Sequence, residues 1–154
     1  MPFTQKLKEL GLNLTIVPPA VANYVGFQVV GNLVIISGQL PIKDGQVAIK
    51  GKVGAEVSLE QAIEAARLCA INVLTQLNTA CGGDLSKVEG CVRLGGFVNC
   101  TADYTDQPKV INGASDLMVA VFGDAGRHAR AAVGVNALPL GAAVEVEAIF
   151  SLKA

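Results

Sequence analysis

The sequence predicts an α+β fold in which two main helices pack on one face of a single β-sheet. A chain of 154 residues suits one domain with a sizeable core. Several short stretches are rich in β-branched residues or alternate apolar with polar residues, and two longer stretches repeat apolar residues at helical spacing. The predicted order is β-β-β-α-β-α-β-β, preceded by a short N-terminal helix.

The N-terminal segment predicts that short helix. Phe3, Leu7 and Leu10 repeat at helical spacing, and Gly11 is a natural stop. Pro18-Pro19 then favours an extended segment that leads towards Tyr24. We therefore expect residues 1–154 to form one domain, with residues 1–19 as an N-terminal extension of it.

The first strands are predicted by turn sequences. Phe27 to Val30 and Leu33 to Ser37 flank Gly31-Asn32, a two-residue turn sequence that indicates a hairpin. The tetrapeptide Lys43-Asp44-Gly45-Gln46 marks another turn, and Gln46 to Ile49 follows it as a short predicted strand.

The two main helices have recognisable ends. Ser58-Leu59-Glu60-Gln61 is a capping box that starts a long helix, and Gly82-Gly83 ends it. Pro108 opens the second helix, which ends at Gly123. The remaining strands are predicted at Val88 to Asn99, Ala129 to Val135 and Ala143 to Leu152.

Composition limits the kinds of partner. Apolar residues make up 51% of the chain and charged residues only 16%, against about a quarter in typical soluble domains. Partner subunits covering apolar surface would explain this, and a well-buried monomer is the alternative. A net charge of −1 gives no support for nucleic-acid binding. The uncharged stretch from Leu10 to Ile42 is broken by prolines and glycines, so no membrane span is expected.

Cysteine usage and the N-terminus point to the cytoplasm. The N-terminus carries Lys6 and Lys8 on an amphipathic segment and lacks the features of a secretory signal. The four cysteines contain no CxxC pair, and His128 is the single histidine, so we expect free structural thiols and no metal site.

Arg130 is the strongest candidate for chemistry. It stands among small apolar residues, where a guanidinium needs a partner or an anionic ligand, and its fork of donors suits a carboxylate. A surface arginine, or one paired with a glutamate, is the alternative. In the last predicted strand Glu145 and Glu147 share one face of the sheet. The alternative to a functional role is that this face is an ordinary solvated one with paired charges.

Two further positions are weaker candidates. His128 is a possible general base beside Arg130, but it could equally belong to the preceding loop. Ser37-Gly38 ends a strand and would let the backbone approach a ligand, although a simple tight turn has the same sequence.

Three motifs together resemble the RidA/YjgF/UK114 family. They are Ile36-Ser37-Gly38-Gln39-Leu40-Pro41, Ala129-Arg130, and Leu138-Pro139 followed by Val144-Glu145-Val146-Glu147-Ala148-Ile149. The resemblance covers about residues 20–152. It implies a chorismate-mutase-like (YjgF-like) fold with a single mixed sheet, a homotrimer with clefts between adjacent subunits, and no metal or organic cofactor.

The resemblance also implies roles for individual residues. Arg130 would hold the substrate carboxylate and Glu145 would position water, the two facing each other in the cleft. Tyr24 and Asn112 match positions that line it. Several positions depart from the family pattern and imply a reshaped cleft: Ala131, Ala132 and His128 replace the residues usual around the arginine, and Ala22-Asn23 stands in place of Gly-Pro.

The leading hypothesis is a deaminase that hydrolyses 2-imino or 2-enamino acids to 2-oxo acids and ammonia. Arg130 and Glu145 would be catalytic, and Tyr24, Ser37, Gly38, Asn112 and His128 would bind substrate. The alternative is a non-catalytic trimeric sensor for a small carboxylate metabolite. An endoribonuclease activity, described for some members of that family, fits less well with the acidic charge balance.

Overall fold

A computed structural model describes residues 2–18 and 23–154 of the chain. The predicted extended segment at Pro18-Pro19 and the departure at Ala22-Asn23 lie partly outside these residues. The helices are α1 (Phe3–Glu9), α2 (Leu59–Ala80) and α3 (Gln107–Phe122), and the strands are β1 (Phe27–Val30), β2 (Leu33–Gln39), β3 (Ile42–Lys43), β4 (Gln46–Val47), β5 (Val88–Asn99), β6 (Ala129–Val135) and β7 (Val144–Leu152).

Five strands form one mixed sheet in the order β1-β2-β7-β5-β6. The β5–β6 pair is parallel, because α3 connects the two strands and returns the chain to the same end of the sheet. The other neighbours are antiparallel. This sheet and its helices confirm the predicted α+β class, and they leave β6 as an edge strand.

The third predicted strand, Gln46 to Ile49, is wrong as a member of this sheet. Its first two residues form β4, which pairs with β3 in a separate two-stranded ribbon. Asp44 and Gly45 close that ribbon with positive φ angles of 54° and 79°. Because this turn gives β4 a local partner at once, the strand does not reach the main sheet.

Both main helices cover the same face of the sheet, and the core lies between them and the strands. The capping box of α2 forms as predicted: Ser58 Oγ accepts from the Gln61 amide at 3.2 Å, and Gln61 Oε1 accepts from the Ser58 amide at 2.9 Å. The short α1 docks on α3 through Phe3 and Phe122, whose rings meet edge to face at 4.8 Å between centroids.

The opposite face of the sheet, here called the open face, carries apolar residues in the isolated chain. Ile35 is 43% exposed and Val133 is 46% exposed, on strands at different ends of the sheet. A single ion pair, Arg93 to Glu147 at 3.3 Å, stands between them among the described residues. Across residues 2–18 and 23–154, none of the helices has both the length and the apolar character needed to cross a membrane.

Candidate functional site

A β-bulge interrupts strand β2 at Ser37 and Gly38. Ile36 pairs with Ala148 of β7, whereas Gln39 pairs with Val146, so both bulge residues lie opposite Glu147. The Ser37 amide and hydroxyl donate to the carbonyls of the segment before β1, at 2.9 Å and 2.7 Å. These hydrogen bonds fix the bulge, and they use the hydrogen of the Ser37 hydroxyl in a bond to the protein's own backbone.

Gly38 makes room for the side chain of Glu145. A methyl group added at Gly38 would overlap the Oε2 atom of Glu145 and would lie 2.9 Å from its Cδ atom. Any larger residue at Gly38 would therefore push the carboxylate away. The sequence motif that contains Gly38 thus has a steric function towards the catalytic candidate on the neighbouring strand.

A groove of about 700 Å³ opens above this bulge and contains both Gly38 and Glu145. Tyr24 is 67% exposed and lines the groove. The rest of the lining combines apolar side chains with glutamine amides, among them Val25, Phe27, Leu40, Pro139, Gln28, Gln39 and Gln76. The structure therefore brings together four of the predicted site residues: Tyr24, Ser37, Gly38 and Glu145.

The environment of Glu145 favours its neutral form. Partial burial raises the pKa of this carboxyl, and the nearby charge of Glu147 raises it further. Among the described residues, Glu145 forms no ion pair. A carboxylate whose pKa is raised and that has no cationic partner is a stronger base than an ordinary carboxylate, which suits it to proton transfer.

Arg130 lies on the other side of the molecule, against α3. Its register partner on β5 is the fully buried Leu94, so its side chain points to the face covered by the helices. Nη1 donates to Asn112 Oδ1 at 2.8 Å and to Ser115 Oγ at 3.1 Å. Asn112 thus contacts Arg130, in agreement with its predicted place near the cleft.

The charge of Arg130 has no protein counterion in the described part of the chain. Both of its hydrogen-bond partners, Asn112 and Ser115, are neutral, and the side chain is only half-buried. A guanidinium held by neutral oxygens at the surface keeps its positive charge available for an anion.

His128 immediately precedes β6 and contacts the same helix. Nε2 lies 2.9 Å from Ser115 Oγ, and Nδ1 lies 2.6 Å from the carbonyl oxygen of Gly126. Both ring nitrogens therefore have protein partners. In this arrangement the ring has no free nitrogen for a substrate, and it lines no part of the groove beside Glu145.

Arg130 and Glu145 do not meet within one chain. Glu145 pairs with Phe97 and points to the open face, between the buried Val144 and Val146, while Arg130 points to the helix face. Strand β5 also separates β6 from β7, which adds two strand spacings, roughly 10 Å. The predicted cleft in which they face each other therefore requires two subunits.

Ser115 is the residue that sequence reasoning missed. It follows Asn112 by three positions on α3, so the two side chains share one face of the helix. That spacing is the one signal that could have indicated it. A serine within a helix is otherwise unremarkable, since its hydroxyl commonly bonds to the preceding turn.

The four cysteines are all free and buried. The thiol of Cys69 lies 3.5 Å from the carbonyl oxygen of Val144, and burial raises its pKa well above the usual range, with the charge of Glu145 acting in the same direction. Within the described residues, no three His, Cys, Asp or Glu side chains come together as a metal-binding group.

Comparison with known proteins gives consistent results. The family model described as "YjgF/chorismate mutase-like, putative endoribonuclease" matches residues 4–151, which includes most of α1. Protein TCP17 of Trypanosoma cruzi is 44% identical over 148 residues, covering 96% of this chain and 92% of that protein. The RutC family protein y4sK of Sinorhizobium fredii is 35% identical over 135 residues, covering 88% and 91% respectively.

The solved structures agree. The crystal structure of Atu1372 from Agrobacterium tumefaciens, a protein of unknown function, has a TM-score of 0.91 and 46% identity, over 99% of this chain and 94% of that chain. A protein from Shewanella oneidensis described as a putative endoribonuclease has a TM-score of 0.92 and 34% identity, over 99% of this chain and 100% of that chain. The chain therefore belongs to the YjgF/chorismate mutase-like family, and its α+β fold is that of the family.

Proposed function

We propose that this protein hydrolyses 2-imino or 2-enamino acids to 2-oxo acids and ammonia. The observation that carries the proposal is Arg130, whose guanidinium is held by two neutral oxygens and has no carboxylate partner among the described residues. Such a group suits the carboxylate that every substrate of this class carries.

The proposed active site lies between subunits of a homotrimer. Arg130 of one subunit would hold the substrate carboxylate, and Glu145 of the adjacent subunit would face the imine carbon. This arrangement is supported by the opposite faces of the two side chains within one chain and by the exposed apolar residues of the open face.

The chemistry needs one carboxyl that moves a proton twice. Water attacks the imine carbon while the Glu145 carboxylate takes one of its protons and passes it to the nitrogen, which gives a neutral tetrahedral carbinolamine. Glu145 then takes the proton of the new hydroxyl group and passes it to the same nitrogen, so that the C–N bond breaks, ammonia leaves and the carbonyl forms. The raised pKa of Glu145 suits the proton abstraction in both steps, because it makes the carboxylate a stronger base than an ordinary one.

The test uses 2-iminobutanoate generated in situ by threonine dehydratase. Its loss is compared for the wild type, Arg130→Ala and the control Arg127→Ala, which removes an exposed arginine from the same segment. We expect the wild type and the control to accelerate hydrolysis and Arg130→Ala to lose at least about tenfold of the effect, since its charged hydrogen bonds to substrate are gone. Full activity of Arg130→Ala would overturn the proposal.

A carboxylate-binding module without turnover is the second candidate. Ala131 and Ala132 replace the polar side chains usual in the family, and His128 is engaged by Ser115 and Gly126 rather than free. Saturable binding of 2-oxobutanoate, lost in Arg130→Ala, with no acceleration of imine hydrolysis would favour this function. RNA cleavage that depends on Arg130 would instead favour the activity named for the Shewanella relative.

A further inference from the structure

We propose that Ser115 and His128 are positioning residues that hold the guanidinium of Arg130 in one orientation, with its Nε–Nη2 edge turned outward for a carboxylate. The role of that edge rests on the proposed function. The hydrogen-bond chain from Arg130 to Gly126 does not, and the two parts can be tested separately.

The direction of each hydrogen bond in this chain follows from its partners. A guanidinium can only donate, so Ser115 Oγ accepts from Arg130 Nη1. A carbonyl can only accept, so His128 Nδ1 donates to Gly126. In a neutral imidazole Nε2 is then the acceptor, and the Ser115 hydroxyl donates its hydrogen to it at 2.9 Å. Every group in the chain is satisfied in this one arrangement.

The chain ends on a rigid point of the backbone. Gly126 is buried, and a methyl group added there would overlap the carbonyl oxygen of Met118 on α3. The turn that carries the accepting carbonyl is therefore packed directly on the helix that carries Ser115. Because both ends of the chain belong to the same packed unit, the serine hydroxyl has little freedom to rotate.

The consequence for Arg130 is that its two terminal nitrogens are no longer equivalent. Nη1 has two N–H groups, and Asn112 and Ser115 accept both. Nε and Nη2 make no hydrogen bond to any described residue. Together they form one edge of the guanidinium, with parallel N–H groups that match the two oxygens of a carboxylate. Asn112 is exposed, so the partly buried Ser115 is the better-fixed of the two supports.

A purely structural role is the competing explanation, in which Ser115 and His128 fasten the turn before β6 to α3. That role would affect stability without changing the state of Arg130. The two explanations therefore differ in the nuclear magnetic resonance signals of the Arg130 side chain and in ligand affinity, and both can be measured on the full chain.

The first arm uses ¹⁵N resonances of the histidine ring and of the arginine Nε–H group. In the wild type we expect His128 as the Nδ1–H tautomer. We expect Ser115→Ala and His128→Phe to broaden or move the Arg130 Nε–H signal. His128→Gln should preserve it, because a glutamine Oε1 can still accept from Ser115. Asp116→Ala, an exposed neighbour on α3, is the control. An Nε2–H tautomer, or an Arg130 signal that Ser115→Ala leaves unchanged, would overturn the proposal.

The second arm measures the Kd of 2-oxobutanoate by calorimetry and the KM and kcat of imine hydrolysis. Ser115→Ala and His128→Phe should raise Kd and KM about three- to tenfold, with a smaller change in kcat, because an anchor that binds substrate and transition state alike acts mainly on KM. His128→Gln should recover most of the affinity. If the wild type neither binds nor turns over, the proposed function fails, and the resonance arm still decides whether the pair orients Arg130.

Discussion

Glu145 and Glu147 share a face of β7 but have different environments. Glu147 pairs with Arg93, whereas Glu145 lies against Gly38 in the groove without an ion pair among the described residues. The charge of Glu147 also raises the pKa of Glu145, after the larger effect of burial. Glu147 is thus a paired surface carboxylate whose charge raises the pKa of Glu145.

This coupling predicts the effect of Glu147→Gln on the pH dependence of imine hydrolysis. If ionised Glu145 is the base, the rate rises with pH through its pKa. Removing the charge of Glu147 lowers that pKa, and unpaired Arg93 acts in the same direction. The acidic limb of kcat/KM should therefore move to lower pH. Glu9→Gln on α1 is the remote control, and a limb that stays in place or moves to higher pH would contradict the assignment.

Gly38→Ala tests whether the position of Glu145 matters for the reaction. The added methyl group would overlap the Glu145 carboxylate and displace it by an ångström or so, which typically costs on the order of 100-fold in rate. We expect kcat to fall by about that factor, with little change in the free energy of unfolding, because the displaced atoms are the end of a flexible side chain. In a Glu145→Gln background the same substitution should cost almost nothing more, and an equal further loss would show that Gly38 acts elsewhere.

At the residue scale, the sequence predicted which residues are candidates for the site better than it predicted the face of the sheet to which each side chain points. Alternation along β7 correctly put Glu145 and Glu147 on one face, opposite the buried Val144 and Val146. It could not relate the face of Arg130 to that of Glu145, because this depends on the parallel register of β5 and β6 between them. It also could not identify Ser115, whose role exists only once β6 lies beside α3.

At the scale of elements, the sequence marked the ends of helices and the turns correctly, but it held no information on which strands pair with each other. The capping box, Gly11 and the Gly31 turn correctly marked where α2 begins, where α1 ends and where β1 turns into β2. The turn at Lys43 to Gln46 predicts a strand at Gln46 to Ile49, but it does not indicate which strand will be its partner. The pairing partner of a strand depends on the path of the whole chain. Here the tight turn places the first two residues of the segment beside β3, so they pair with β3 and not with the main sheet.

The contact between α2 and α3 depends on a glycine. A methyl group at Gly113 would overlap the carbonyl oxygen of Ile63 on α2 and would lie 3.0 Å from its carbonyl carbon. Helix propensity alone would make Gly113→Ala stabilising by about 1 kcal/mol. Backbone atoms cannot yield as a side chain would, so the helices must separate, at about 1–3 kcal/mol for overpacking of this kind.

We therefore expect Gly113→Ala to lower the free energy of unfolding, by up to about 2 kcal/mol after the propensity gain is subtracted. Chemical denaturation of the purified protein measures it. Asp116→Ala on the exposed side of the same helix isolates the propensity effect and should be neutral or slightly stabilising. A Gly113→Ala protein as stable as this control would mean that α2 and α3 can shift apart freely.

At the scale of the whole molecule, two separate features favour the proposed homotrimer. Arg130 and Glu145 lie on opposite faces of the sheet, and the open face exposes apolar side chains on several strands. The low content of charged residues points the same way. A homotrimer whose open faces are covered by neighbouring copies would explain both features, and in such a trimer the proposed activity would depend on assembly.

Ile35→Lys tests this dependence, with Ile16→Lys as the matched control. Ile35 is 43% exposed on the open face, and Ile16 is 57% exposed on the N-terminal segment beside α2, so a single chain tolerates lysine at either position. Burying a lysine between subunits is costly, so Ile35→Lys should change the mass measured by light scattering from three chains of 15.8 kDa to one. It should also abolish imine hydrolysis although Arg130 and Glu145 are intact, while Ile16→Lys keeps both. An active Ile35→Lys monomer would show that one chain completes the site.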